Sequence, residues 1–130
     1  MSLLGKTRDG VRAYDPTARP VLVVEDDAGL RAYLATILEG QGYRVVAAGS
    51  GEEALRLLGG EQAMLAVLDI GLPGMDGFAV AEHLAPDVPV LVVTGDPLKA
   101  KMKGFGRERF AVIGKPVTPD QIEAALQALV

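Results

Sequence analysis

The stretch Met64-Leu-Ala-Val-Leu-Asp69-Ile-Gly-Leu-Pro73-Gly-Met-Asp-Gly77 runs apolar for five residues, stops on a lone carboxylate and then breaks into glycine and proline. A short continuous apolar run of this kind reads as a strand buried on both faces, as in parallel sheets. Three other runs have the same form: Val21-Leu-Val-Val24 before Glu25-Asp26-Asp27, Val90-Leu-Val-Val93 before Thr94, and Ala111-Val-Ile-Gly114 before Lys115-Pro116. Ligands of open α/β sheets gather beyond the carboxyl ends of the strands. If all four runs lie parallel, three carboxylates, a hydroxyl and an ammonium converge at one end of the sheet. Such a set can hold a divalent cation, accept a phosphoryl group on a carboxylate and cradle the added oxygens.

Helical periodicity fills the gaps between these runs. Leu30, Leu34, Ile37 and Leu38 share one face of a helix that stops at Gly40-Gln41-Gly42, and Tyr43 to Ala48 reads as a further strand. Ser50 with Glu53 forms a capping box ahead of Ala54, Leu55, Leu57 and Leu58. The strand ahead of Asp69 is expected over Met64 to Leu68. Phe78 to Leu84 reads as a short helix stopped before Pro86, and Val88 to Val93 as a strand. Leu98 to Lys103 is a lysine-rich helix closed by Gly104 and Gly106, and Phe110 to Ile113 the fifth strand. Thr118-Pro119-Asp120-Gln121 opens a last helix whose inner stripe is Ile122, Ala125, Leu126 and Leu129. Five βα units imply a parallel sheet with helices on both faces; periodicity alone does not give the strand order.

Composition narrows the class. The 130 residues suffice for one domain with a real core. No uncharged apolar run approaches the ~20 residues of a membrane span, and residues 1–20 lack the apolar segment of a signal peptide. Cysteine is absent, which excludes disulfides and thiolate metal sites and fits a cytoplasmic protein. Net charge of −4 argues against a nucleic-acid surface. Residues 1–19 carry breakers and no sustained periodicity, so they read as a linker or tail whose Met1-Ser2-Leu3 start has the look of a vector remnant. Residues 20–130 form the domain.

The pieces Val24-Glu25-Asp26-Asp27, Asp69-Ile-Gly-Leu-Pro73-Gly-Met-Asp-Gly77, Val93-Thr94-Gly95 and Lys115-Pro116 occur in the order in which the receiver domain of two-component response regulators carries its motifs. From Pro20 to Val130 the chain resembles that family. The resemblance implies a flavodoxin-like (βα)5 fold with strand order 2-1-3-4-5, whose switch point lies between strands one and three.

It also implies roles. Asp69 becomes the phosphoacceptor, a carboxylate nucleophile forming an acyl phosphate. Asp26, Asp69 and the backbone carbonyl of Gly71 become ligands of Mg2+, with Mn2+ an alternative, and Glu25 acts through water; hard oxygen donors suit such ions. Asp27 points the other way by strand alternation and reads as a helix cap. Thr94 and Lys115 become phosphate contacts and switch residues. Pro73 and Gly77 shape the loop after Asp69, Asp76 caps the next helix, Gly95 leaves access for a phosphodonor, and the Lys115-Pro116 bond is often cis in this family, which fixes where the lysine points. The expected donor is a sensor histidine kinase or a histidine phosphotransfer protein. The expected chain is not an enzyme beyond catalysing its own phosphorylation and dephosphorylation.

Some positions depart from the family pattern. Val112 stands where many receivers carry a Tyr or Phe switch residue, with Phe110 two residues earlier on the same strand face; Val117 replaces the usual aromatic after Lys-Pro; and the segment around Ala85-Pro86-Asp87 looks trimmed. Lys99, Lys101, Lys103, Arg107 and Arg109 make a basic run, either a solvated face or a docking patch for an acidic partner. His83, the single histidine, reads as a mid-helix surface residue, and Gly104-Phe105-Gly106 lacks the third glycine of a dinucleotide fingerprint at Arg109. Two other functions compete with the switch. One is a receiver-shaped module that docks without being phosphorylated. The other is a phosphohydrolase of the haloacid dehalogenase type, disfavoured because Gly71 stands where that class carries a second aspartate.

Overall fold

Five strands and five helices alternate along the chain in a computed structural model that describes residues 15–103 and 109–129. The order is β1 (Val21–Val24), α1 (Ala28–Gly40), β2 (Val45–Ala48), α2 (Gly51–Leu58), β3 (Leu65–Leu68), α3 (Gly77–Glu82), β4 (Val90–Thr94), α4 (Pro97–Lys103), β5 (Phe110–Gly114) and α5 (Pro119–Leu129). The sheet is wholly parallel in the order β2-β1-β3-β4-β5, as the resemblance implies. β1 and β3 are buried at every residue because neighbouring strands flank them and helices cover both faces. β5 is half-buried throughout, as befits an edge strand.

Strand alternation sorts the core into two layers. Leu22, Val24, Ala66, Leu68, Val90 and Val92 face one side, under Ala54 and Leu58 of α2, Val80 and Ala81 of α3 and Ala100 of α4. Val21, Val23, Leu65, Val67, Leu91 and Val93 face the other, under Leu34 and Leu38 of α1 and Ile122, Leu126 and Leu129 of α5.

The caps follow the sequence. Asp27 accepts from the Leu30 amide at 2.9 Å and Asp76 from the Ala79 amide at 2.9 Å. Thr118 and Gln121 bond reciprocally at the start of α5. The box at Ser50 closes differently: Ser50 Oγ accepts from the Glu53 amide, but Glu53 Oε1 takes the amide of Gly49, one residue before the cap.

Several boundaries move, each for a local reason. β2 starts at Val45 because the Tyr43 amide is spent on Leu38 O at the exit of α1. β3 starts at Leu65; Met64 N instead bonds Pro20 O. β4 runs from Val90 to Thr94, since Val88 N turns back to Ala85 O, Pro89 has no N–H, and Thr94 O still accepts from Lys115 N. α3 is shorter than Phe78 to Leu84 and ends at Glu82, so His83 is its exposed C-cap and not a mid-helix residue. α4 begins at Pro97, and Lys115-Pro116 is cis. Within residues 15–19, Ala18 O accepts from Arg44 Nε, whose guanidinium is also paired to Glu61. The tail reading of residues 1–14, the closing glycines 104 and 106, and Arg107 lie outside the described residues.

Candidate functional site

At the carboxyl end of the sheet the strand termini deliver the expected groups to one place. Ligand oxygens of Glu25, Asp26 and Asp69 all lie within 4.8 Å of one another. Glu25 is 1% exposed and Asp69 8%, whereas Asp26 faces solvent. Lys115 crosses from β5 and puts its Nζ 2.7 Å from Asp69 Oδ2 and 2.8 Å from Glu25 Oε1. The Gly71 amide donates to Asp69 Oδ1 at 2.9 Å, and the Asp27 amide to Glu25 Oε2 at 3.0 Å. Thr94, 2% exposed, ends β4 beside them.

Burial pushes the Glu25 carboxyl above its ordinary range; the Lys115 ammonium and the Asp27 amide pull it back and Asp26 adds to the push, with a net rise. Lys115 shows the opposite balance. Burial alone would lower it, but Asp69 and then Glu25 hold it above the usual lysine range.

A cavity of about 390 Å³ opens over Asp69 and is lined by Ile70, Gly71, Thr94, Gly95, Asp96, Lys99 and Lys115. A Cβ on Gly95 would meet nothing within 4 Å, so this rim is open. Gly77 sits tightly under Asp69, while Pro73 is exposed on the loop above it.

The donor set fits a small hard cation. It consists of oxygen donors alone, with carboxylates from two strand ends close enough to share one ion. Glu25 and Asp69 are engaged alike, each with one oxygen beside Lys115 Nζ and the other accepting from a backbone amide, while Asp26 faces solvent next to them.

Three residues had further roles that periodicity does not reveal. Asp96 caps α4, accepting from Lys99 N at 3.2 Å, and its own amide donates to Thr94 Oγ1 at 3.1 Å. Lys99, read from sequence only as part of a basic run, lines the cavity over Asp69. Arg109 is not part of a free basic patch: its guanidinium bonds Leu129 O at 3.1 Å and Asp87 O at 3.0 Å, tying α5 to the loop before β4. The sequence signal for Asp96 was available, an Asp immediately before Pro97 at the first helical position. The long-range placements of Lys99 and Arg109 leave no local pattern.

Known sequences and structures share this fold. Residues 21–127 match the family model described as response regulator receiver domain. A probable transcriptional regulator ycf27 of Guillardia theta is 36% identical over 117 residues, covering 87% of this chain and 46% of that protein. The transcriptional regulatory protein GlrR of Escherichia coli is 35% identical over 114 residues, 82% of this chain and 25% of that protein. The chain thus spans about half or less of the length of these curated relatives. Among solved structures, the chemotaxis protein CheY4 of Vibrio cholerae superposes with a TM-score of 0.75 at 26% identity, covering 87% of this chain and all of the other.

Proposed function

This chain belongs to the response regulator receiver domain family, and from that premise we propose that Asp69 accepts a phosphoryl group from a sensor histidine kinase or a histidine phosphotransfer protein. In this reading Mg2+, or Mn2+ in its place, is held by Asp26, Asp69 and the Gly71 carbonyl, with Glu25 acting through water. The observation that carries it is the meeting of Asp69 with two further acids and the Lys115 ammonium under an open cavity.

An Asp69 carboxylate oxygen attacks phosphorus; the P–O bond forms as the donor's bond to phosphorus breaks, and the donor leaves with that electron pair. The cation, when bound, neutralises charge on the phosphoryl oxygens. The Gly71 amide fixes one Asp69 oxygen and so orients the nucleophile. Lys115, already on Asp69 Oδ2, is placed to follow charge onto the transferred group, and the Thr94 hydroxyl to donate to it. We place residues 20–130 as the receiver unit and residues 1–19 as linker. Chemistry is confined to the chain's own phosphorylation and its reversal, and the setting is cytoplasmic; no helix among the described residues is long and apolar enough to cross a membrane.

A small phosphodonor with Mg2+ is expected to give one acid-stable, base-labile adduct, detected by mass spectrometry and absent in EDTA. In a Mg2+ titration Asp26→Ala should weaken binding strongly and Glu25→Ala less, because in this reading a water stands between Glu25 and the cation. Equal affinity in wild type and Asp26→Ala would remove Asp26 from the ligand set.

The switch follows from the Thr94 contacts. A Thr94 hydroxyl drawn toward a phosphoryl group to donate to it shifts the oxygen that accepts from the Asp96 amide, and Asp96 is the cap of α4. Val112 offers no large ring to rotate, so the change concentrates in α4. With beryllofluoride and Mg2+, hydrogen exchange should alter over Thr94 to Lys103 and stay nearly constant over Leu30 to Leu38. A larger change in α1 would send the signal through another face.

A further inference from the structure

Arg31 lies one turn into α1, and its side chain turns back toward the acid loop. Its Nη1 donates to the backbone carbonyl of Glu25 at 2.9 Å. The guanidinium also lies against Gly49, at the corner between β2 and α2: a Cβ there would stand 2.9 Å from the same nitrogen. That corner is itself fixed. The Gly49 amide donates to Glu53 Oε1 at 2.8 Å, the Glu53 amide to Ser50 Oγ at 3.1 Å, and the Glu25 amide to Ala48 O at 3.1 Å. Gly49 has no positive φ, so backbone conformation does not require glycine there; a Cβ would instead meet the end of the Arg31 side chain, which would have to shift.

The Glu25 carbonyl belongs to the peptide that joins the two neighbouring acids. A peptide unit is planar and rigid, so holding that oxygen sets the tilt of the unit and the directions in which Glu25 and Asp26 leave the backbone. We infer that Arg31 is a positioning residue for the acid pair: it holds the Glu25–Asp26 peptide in the orientation that brings both carboxylates to Asp69, and Gly49 is the vacancy that admits it. This rests on the proposed cation site. Arg31 contacts neither cation nor phosphoryl group; it acts through the peptide it grips.

The test compares Arg31→Met, Arg31→Lys and Gly49→Ala with wild type and Asp26→Ala by calorimetric titration with Mg2+, alongside thermal unfolding without metal. Groups that orient metal ligands from behind typically change affinity about tenfold or more, and a loss of roughly that size is expected in Arg31→Met. Gly49→Ala, which keeps the guanidinium but pushes it from its seat, should show a similar loss. Arg31→Lys should recover part of the affinity, since one ammonium donor can reach the same carbonyl. The double variant Arg31→Met with Gly49→Ala should be no worse than the poorer single one, because both remove one contact. If Arg31→Met does not fold, Gly49→Ala and Arg31→Lys decide the matter by the same titration. Lowered melting temperatures with unchanged Mg2+ affinity in these variants, wild type binding normally, would overturn the positioning role alone. Absence of Mg2+ binding by wild type itself would overturn the cation site, and this inference with it.

Discussion

Asp69→Asn is expected to yield no phosphoryl adduct under conditions that label the wild-type chain to completion. The amide keeps the size and the Gly71 amide contact of Asp69, so the loop retains its shape, but its oxygen is a far poorer nucleophile than a carboxylate oxygen. The exchange also strips the Lys115 ammonium of one of its two anionic partners, leaving Glu25. Mg2+ affinity should fall in the same variant, because one anionic donor has become neutral. Far-ultraviolet circular dichroism should match wild type, which separates lost chemistry from lost fold. Wild-type labelling of Asp69→Asn would move the phosphoacceptor to another residue.

The second large effect is expected at Gly77, the first residue of α3. A Cβ there would fall 3.0 Å from the Asp69 carbonyl carbon, nearer still to the carbonyl oxygen, and 3.1 Å from Ile70 Cα. These are backbone atoms at the root of the nucleophile, and they have no rotamer by which to yield. Gly77→Ala must lift either the Asp69 loop or the start of α3, where Asp76 caps the helix. Overpacking of this kind costs roughly 1–3 kcal/mol, read as a lowered denaturation midpoint. Phosphorylation should slow as well, since moving the Asp69 backbone moves its carboxylate away from Lys115. By contrast Gly95→Ala, where a Cβ meets open space, should leave stability nearly unchanged. Equal stability of Gly77→Ala and wild type would show that the turn has slack not evident in its packing.

Both expectations start from features that were plain in the sequence. Asp69 is a lone acid closing an apolar run, and Gly77 closes the turn after it. The central strands were legible because burial on both faces leaves an unbroken apolar run, so β1 came out with its exact ends. Edges of elements were harder. Whether Tyr43 joins the ladder depends on its amide bonding Leu38 at the helix exit, and nothing in Gly42-Tyr43-Arg44 announces that. Strand order came through family resemblance, since each βα unit looks alike by periodicity. The acids, Thr94 and Lys115 were found because strand ends place them by rule. Arg31, Lys99 and Arg109 were not, because a long side chain can reach several places and only the folded neighbours decide which. Lys99 and Arg109, two residues of one basic run, end up doing unrelated things: the first borders the cavity over Asp69, and the second fastens α5 to the loop before β4.

The two-layered core has a consequence for how such a domain can diversify. The loop after Asp69 sends Ile70 and Leu72 into the layer shared with α2, α3 and α4, while α1 and α5 rest on the other layer, across the sheet. The outer faces of α1 and α5 are therefore separated by the whole sheet from the packing under the Asp69 loop, and substitutions there leave that packing in place. Change on one side of the sheet is insulated from the other. Duplicated copies can drift on one side of the sheet while the other keeps its packing.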